Sequence, residues 1–153
     1  MRSLLAARRG HGSPHASGPE DRPDHLIGLP FVCTGPDGRG DLAELHRARV
    51  VQCALSRVCA VCAQTLDRPL HLVGTAAEAD DNAFRLPPAH AVCVDALLEP
   101  LRTGDGVVLG HGVGPTSRWS VVVTGGFDLV RPETRDGLHL FRPNAVLERR
   151  DLA

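Results

Sequence analysis

Cys59-Ala60-Val61-Cys62, followed after 27 residues by His90-Ala91-Val92-Cys93, decides how this chain is read. In each quartet two donor side chains have two residues between them, close enough to turn onto one point. Three thiols and an imidazole in two such pairs form the donor set of a tetrahedral Zn²⁺ site. The 90/93 pair shares one face of a helical turn. Pro87-Pro88 sets the start of a helix over 88–101, because proline's missing N–H is not needed in a first turn. A helix start at this point favours the thiolate of Cys93, and Pro100 and Gly104 close the helix.

Upstream, Asp41 with Glu44 three residues on has the pattern of a capping box. Leu42, Leu45, Ala48, Val51 and Leu55 recur at helical spacing, which predicts a helix over about 41–57. Before it, Leu26–Cys33 is apolar, extended and broken by Pro30, as an edge strand would be. Gly35–Gly40 is turn chemistry. Residues 1–25 are rich in Arg, Gly, Pro, Ser and His with no hydrophobic period, and read as a disordered tail in which His11, His15 and His25 are solvated.

Downstream of the first pair, 66–68 and 70–74 read as two short strands, and Ala76–Arg85 as an acidic, irregular stretch holding a helical turn. Val107–Leu109 is a short apolar run. Trp119–Thr124 and Phe127–Arg131 are β-prone and separated by Gly125-Gly126, a strong hairpin signal. Asp136-Gly137 makes a second turn before Leu138–Arg142, and 144–152 is a short strand or helix. Gly110–Pro115 lacks the G-K-[ST] of a phosphate loop and reads as a flexible loop around His111.

A knuckle with two thiolates, a hairpin, then two ligands from the first turn of a helix is the order of a treble-clef zinc finger. The expected fold is therefore α+β: a treble-clef-like core over about 59–101, an added N-terminal helix, and a C-terminal antiparallel β-meander with hairpins over about 106–143. Residues 26–153 form one domain on this reading. Zn²⁺ would be structural, held by Cys59, Cys62, His90 and Cys93. Cys33 and Cys53 lack paired spacing and are read as small core residues.

The net charge of -1 sets up no strong field toward nucleic acid or membrane. Every basic residue is Arg, which with the abundance of Ala, Gly, Val and Pro points to high-GC coding. The run Leu4–Ala7 is shorter than the ~7–15 residues of a signal peptide's apolar core. No stretch approaches the ~20 apolar residues of a membrane helix. The expected location is the cytoplasm, where CxxC pairs serve metal or redox chemistry rather than structural disulfides.

Four protein donors close a metal's coordination sphere and leave no position for water or substrate. The expected function is thus a non-enzymatic module that binds a protein partner, with nucleic acid disfavoured by net charge. The alternative is a divergent HNH-like nuclease on a treble clef, with His71 activating water. His71 follows Leu70 rather than Asp, however, and no second catalytic histidine is placed on the helix. A thioredoxin-type CxxC would open a helix rather than follow one, and the H-x-E of a zinc deaminase is missing.

Pro30-Phe31-Val32, Cys59–Cys62, Leu66, Asn82, Pro87-Pro88, His90 and Cys93 together resemble a group of short uncharacterised actinobacterial and actinophage proteins. Their pattern runs P-F-V, C-x-x-C-G-x-P-L, N-R, P-P-x-H-x-x-C. The resemblance spans about residues 26–101. This chain has Ala63 where that group has Gly, and Glu99-Pro100 where it has Cys-Pro. The resemblance implies zinc and an actinobacterial source, and no activity.

Overall fold

The most β-prone run of the chain, Trp119-Ser120-Val121-Val122-Val123-Thr124, is buried at every position and forms the centre of a three-stranded sheet. A computed structural model describes residues 29–152. Its elements are α1 (Arg47–Ser56), β1 (Leu70–Thr75), α2 (Ala76–Asp81), α3 (Val94–Thr103), β2 (Gly106–Val108), β3 (His111–Val113), β4 (Trp119–Thr124), β5 (Phe127–Val130), β6 (Leu140–Pro143) and β7 (Val146–Leu152). Single turns of 3₁₀ helix at Phe31–Cys33 and Ala91–Cys93 precede α1 and α3. The tail read over 1–25 lies outside the described residues. The result is a mixed helix and antiparallel-strand fold.

β4 pairs antiparallel with β1 on one edge and β7 on the other, with Val122 opposite both Leu72 and Arg149. Alternation sends successive side chains to opposite faces. Val73, Trp119 and Val121 join a core with Leu97 and Leu101 of α3 and with Cys59 and Ala60. Leu70, Leu72 and Val122 join a second core with Phe84, Phe127 and Phe141. Phe84 and Phe141 are fully buried, and burial of such a side chain contributes roughly 1.5–3 kcal/mol.

Several expectations are corrected. Of the edge strand expected over Leu26–Cys33, residues 26–28 lie outside the described residues, Leu29 and Pro30 form no strand, and Phe31–Cys33 is a 3₁₀ turn. The helix expected from residue 41 begins at Arg47. The backbone just before it is committed elsewhere: the carbonyls of Leu42 and Ala43 accept from the N–H groups of Leu109 and Gly110 at 2.8 and 3.0 Å. The Asp41 carboxylate accepts from Ala43 N–H in a tight turn, so no 41/44 capping box forms. The capping box is instead at α2, where Thr75 and Glu78 exchange both bonds at 3.0 and 2.8 Å. Of the two strands expected over 66–74, only β1 forms. Proline's place is also different: Pro88 lies before the helical turns, which start at Ala91 and Val94, and Pro100 sits inside α3, which runs on to Thr103.

The Gly125-Gly126 hairpin does not form, and neither does the meander. Both edges of β4 are taken by β1 and β7, so β5 pairs with β6 in a separate two-stranded sheet. The Thr124 hydroxyl accepts from the N–H groups of Gly126 and Ala145 and donates to the Gly126 carbonyl, steering the chain from one sheet to the other. The glycine-rich stretch around His111 is not a loop. Leu109 and Gly110 both have positive φ, 52 and 74°, and turn a hairpin between β2 and β3.

Candidate metal centre

The two pairs meet. One donor atom from each of Cys59, Cys62, His90 and Cys93 lies within 4.8 Å of all the others, the only such cluster of three or more His, Cys, Asp or Glu donors among the described residues. Cys59 is fully buried, and the other three are half-buried.

Local backbone chemistry puts them there. After α1, Arg57 turns left-handed at φ 54°, and a bridge between Val58 and Thr65 closes the knuckle. Inside it, Cys59 N–H donates to Gln64 O at 2.8 Å and Ala63 N–H to Cys59 O at 3.1 Å. Ala63 is itself left-handed at φ 64°. The knuckle is tied to the second pair by Ala60 N–H donating to Pro88 O at 3.0 Å. It is braced from outside by Phe31 and Val32, whose N–H groups donate to Val61 O and Ala60 O. The second pair is held by Ala89, which exchanges two backbone bonds with His71 of β1, and by Cys93 N–H donating to His90 O at 2.9 Å.

His90 Nδ1 faces Cys62 Sγ at 3.4 Å and Cys93 Sγ at 4.0 Å. Ligands at about 2.0 and 2.3 Å from a tetrahedral centre stand roughly 3.5–3.8 Å apart, so these separations suit a shared ion. His90 Nε2 lies 2.8 Å from the Thr65 carbonyl. Cys59 Sγ accepts from the N–H groups of Val61 and His90 at 3.3 and 3.5 Å. Bonds of this kind from surrounding groups orient metal ligands.

Burial first, then the neighbouring thiols of Cys59 and Cys62, push Cys93 up to about 12, against the expectation that a helix start favours its thiolate. Burial also raises Cys62. Crowded sulfurs resist carrying negative charge together, and a cation between them reverses that balance. The donor set therefore fits a metal ion.

The remaining candidates lie elsewhere. Cys33 and Cys53 are buried, and burial pushes each up to about 12, as suits unreactive core thiols. His71 is half-buried in β1, outside the donor cluster. Its Nδ1 is buried without a hydrogen-bond partner, and burial lowers its pKa, with Arg150 adding to the effect. His111, assigned no role from sequence, is 3 % exposed and bonded to Glu78 at 2.8 Å. Its one sequence signal was the alternation in His111-Gly112-Val113. The Thr65 carbonyl beside His90 had no sequence signal, because a backbone group carries none.

Among the described residues no helix is long and apolar enough to cross a membrane. Comparison with known proteins gives no match: no protein-family model, no curated protein and no solved structure matches this chain.

Proposed function

We propose that Cys59, Cys62, His90 and Cys93 hold a structural Zn²⁺ and that the protein is a small cytoplasmic binding module rather than a metalloenzyme. The observation that carries this reading is the convergence of four donors within 4.8 Å. Soft thiolates with one imidazole select Zn²⁺ over Mg²⁺ or Ca²⁺, and four protein ligands leave no place for a reacting water. The order is knuckle, β1, α2, then a 3₁₀ turn that carries the second pair into the start of α3, which we read as treble-clef-like. Its hairpin is reduced to the single bridge between His71 and Ala89, because the main partner of β1 is β4. The partner expected from near-zero net charge is another protein.

Elemental analysis of protein purified without chelators tests the ion. The expected result is about one zinc per chain, with three sulfurs at ~2.3 Å and one nitrogen at ~2.0 Å by X-ray absorption. Folded protein free of zinc, or a shell containing oxygen donors, would refute the assignment.

A further inference from the structure

Beside the knuckle the surface opens into a cleft of about 550 Å³, within the range of roughly 300–1,000 Å³ typical of small-ligand sites. One wall is the turn after α1 with the approach to β1. It is fastened by Leu66 N–H donating to Arg57 O at 2.9 Å. The other is the crossing between the two sheets, fastened by Asn144 N–H donating to Gly126 O at 3.1 Å. Leu70 and Phe127, both buried, line its apolar part.

The charge in this cleft is one-sided. Arg57 and Arg68 line it, both exposed, and no carboxylate does among the described residues. Neither guanidinium takes part in the described ion pairs, which belong to His111, Arg149 and Arg150. The Arg57 guanidinium lies over the Phe127 ring, 4.8 Å from its centroid, which fixes a planar cation with one face turned away from the ring. Gly125 and Gly126, which form no hairpin, instead keep this wall free of side chains. A Cβ on Gly126 would stand 2.9 Å from Asn144 Oδ1.

Guanidiniums outside the described ion pairs are free to recognise phosphate, and a flat cation backed by an aromatic ring stacks a flat base. We propose that this cleft binds a nucleotide, free or as a unit of a single strand, with Arg68 on the phosphate and the Arg57–Phe127 stack against the base. The overall charge of -1 gives no long-range attraction, so binding rests on the cleft itself, whose only charged lining groups are cationic and whose field at physiological salt reaches about 8 Å. None of the residues used is a proposed metal ligand, so the inference stands apart from the identity of the ion.

The test is fluorescence anisotropy of the full, metal-loaded chain with a labelled oligothymidylate, competed by thymidine monophosphate and by pyrophosphate. Arg68→Gln removes a guanidinium with no described partner and leaves the fold, checked by its melting curve, unchanged. It should weaken binding about tenfold and flatten the salt dependence by about one phosphate contact. Arg57→Lys keeps the charge and loses the stack, and should weaken binding by roughly five- to tenfold or more. A strand far tighter than the monophosphate identifies single-stranded nucleic acid, and equal affinity identifies a free nucleotide. The proposal is overturned if neither probe binds at millimolar concentration, if both variants bind like wild type, or if pyrophosphate competes as well as the monophosphate.

Discussion

His90 Nε2 lies 2.8 Å from the carbonyl oxygen of Thr65. A carbonyl only accepts, so Nε2 carries the proton and Nδ1 presents its lone pair to the sulfurs of Cys62 and Cys93. The backbone of the first ligand pair thus orients the imidazole of the second. His90 is therefore expected to be locked in the Nε2–H tautomer, with Nδ1 as the ligating atom. Long-range ¹⁵N–¹H correlation on the imidazole nitrogens reads this directly, and an Nδ1–H pattern would contradict it.

The second prediction concerns the pair of buried His111 and half-buried Glu78. His111 Nδ1 is 2.8 Å from Leu109 O and Nε2 is 2.8 Å from Glu78 Oε1, so both ring nitrogens face an oxygen. The ring also meets Trp119 edge-on, with centroids 5.6 Å apart. Glu78 accepts two further bonds, from the N–H groups of Thr75 and Arg85, both at 2.8 Å. His111→Ala would leave a half-buried carboxylate without its imidazole partner but with its two backbone bonds, a loss of about 2–3 kcal/mol. Urea unfolding of this variant measures it, and a change within 1 kcal/mol, roughly the noise of a surface substitution, would show the pair to be dispensable.

The same carboxyl gives a pH dependence. Burial alone would raise Glu78, but the hydrogen bond and charge of His111 and the N–H groups of Thr75 and Arg85 outweigh it and hold the group below its ordinary 4.5. A carboxyl lowered by folding contributes stability that is complete above the unfolded value and lost as pH falls through the folded one. Stability should therefore decline below about pH 4.5. Glu78→Gln should flatten this acid limb while lowering stability near neutrality. Parallel acid limbs for the two proteins would contradict the assignment.

Ala63 supplies a stabilising change. At φ 64° its Cβ is crowded in a conformation that glycine adopts freely. Ala63→Gly should relieve roughly 1–2 kcal/mol, less the ~0.4–1 kcal/mol that glycine costs through the unfolded chain, a net gain of up to about 1 kcal/mol that raises the melting temperature by up to roughly 2–4 °C. An unchanged or lower melting temperature would mean that the turn tolerates the side chain.

What could be read in the sequence was local. The spacing of Cys59, Cys62, His90 and Cys93 needed only short turns to bring each pair together, and the cluster forms. Signals whose outcome depended on distant strands failed. Asp41 and Glu44 had the letters of a helix start, but Leu109 and Gly110 claim the carbonyls there. Thr75-Ala76-Ala77-Glu78 carried the same letters with no competitor, and the capping box formed. Gly125-Gly126 would turn a hairpin on a free edge, but β1 and β7 occupy both edges of β4. Leu109-Gly110 turns a hairpin although leucine is a poor residue for positive φ, so no turn was expected.

A bound ion is expected to hold the fold, because its donors come from the knuckle after α1 and from the turn before α3. Metal binding of this kind contributes directly to folding, on the order of 10 kcal/mol in small zinc domains, and less where a sheet adds its own core. The direct measurement is amide hydrogen exchange across residues 59–101, comparing wild type, the chelator-treated protein and Cys93→Ser. Protection over this stretch should collapse in the last two while β4 and β7 keep more of theirs. Full protection of the same amides without metal would contradict the account.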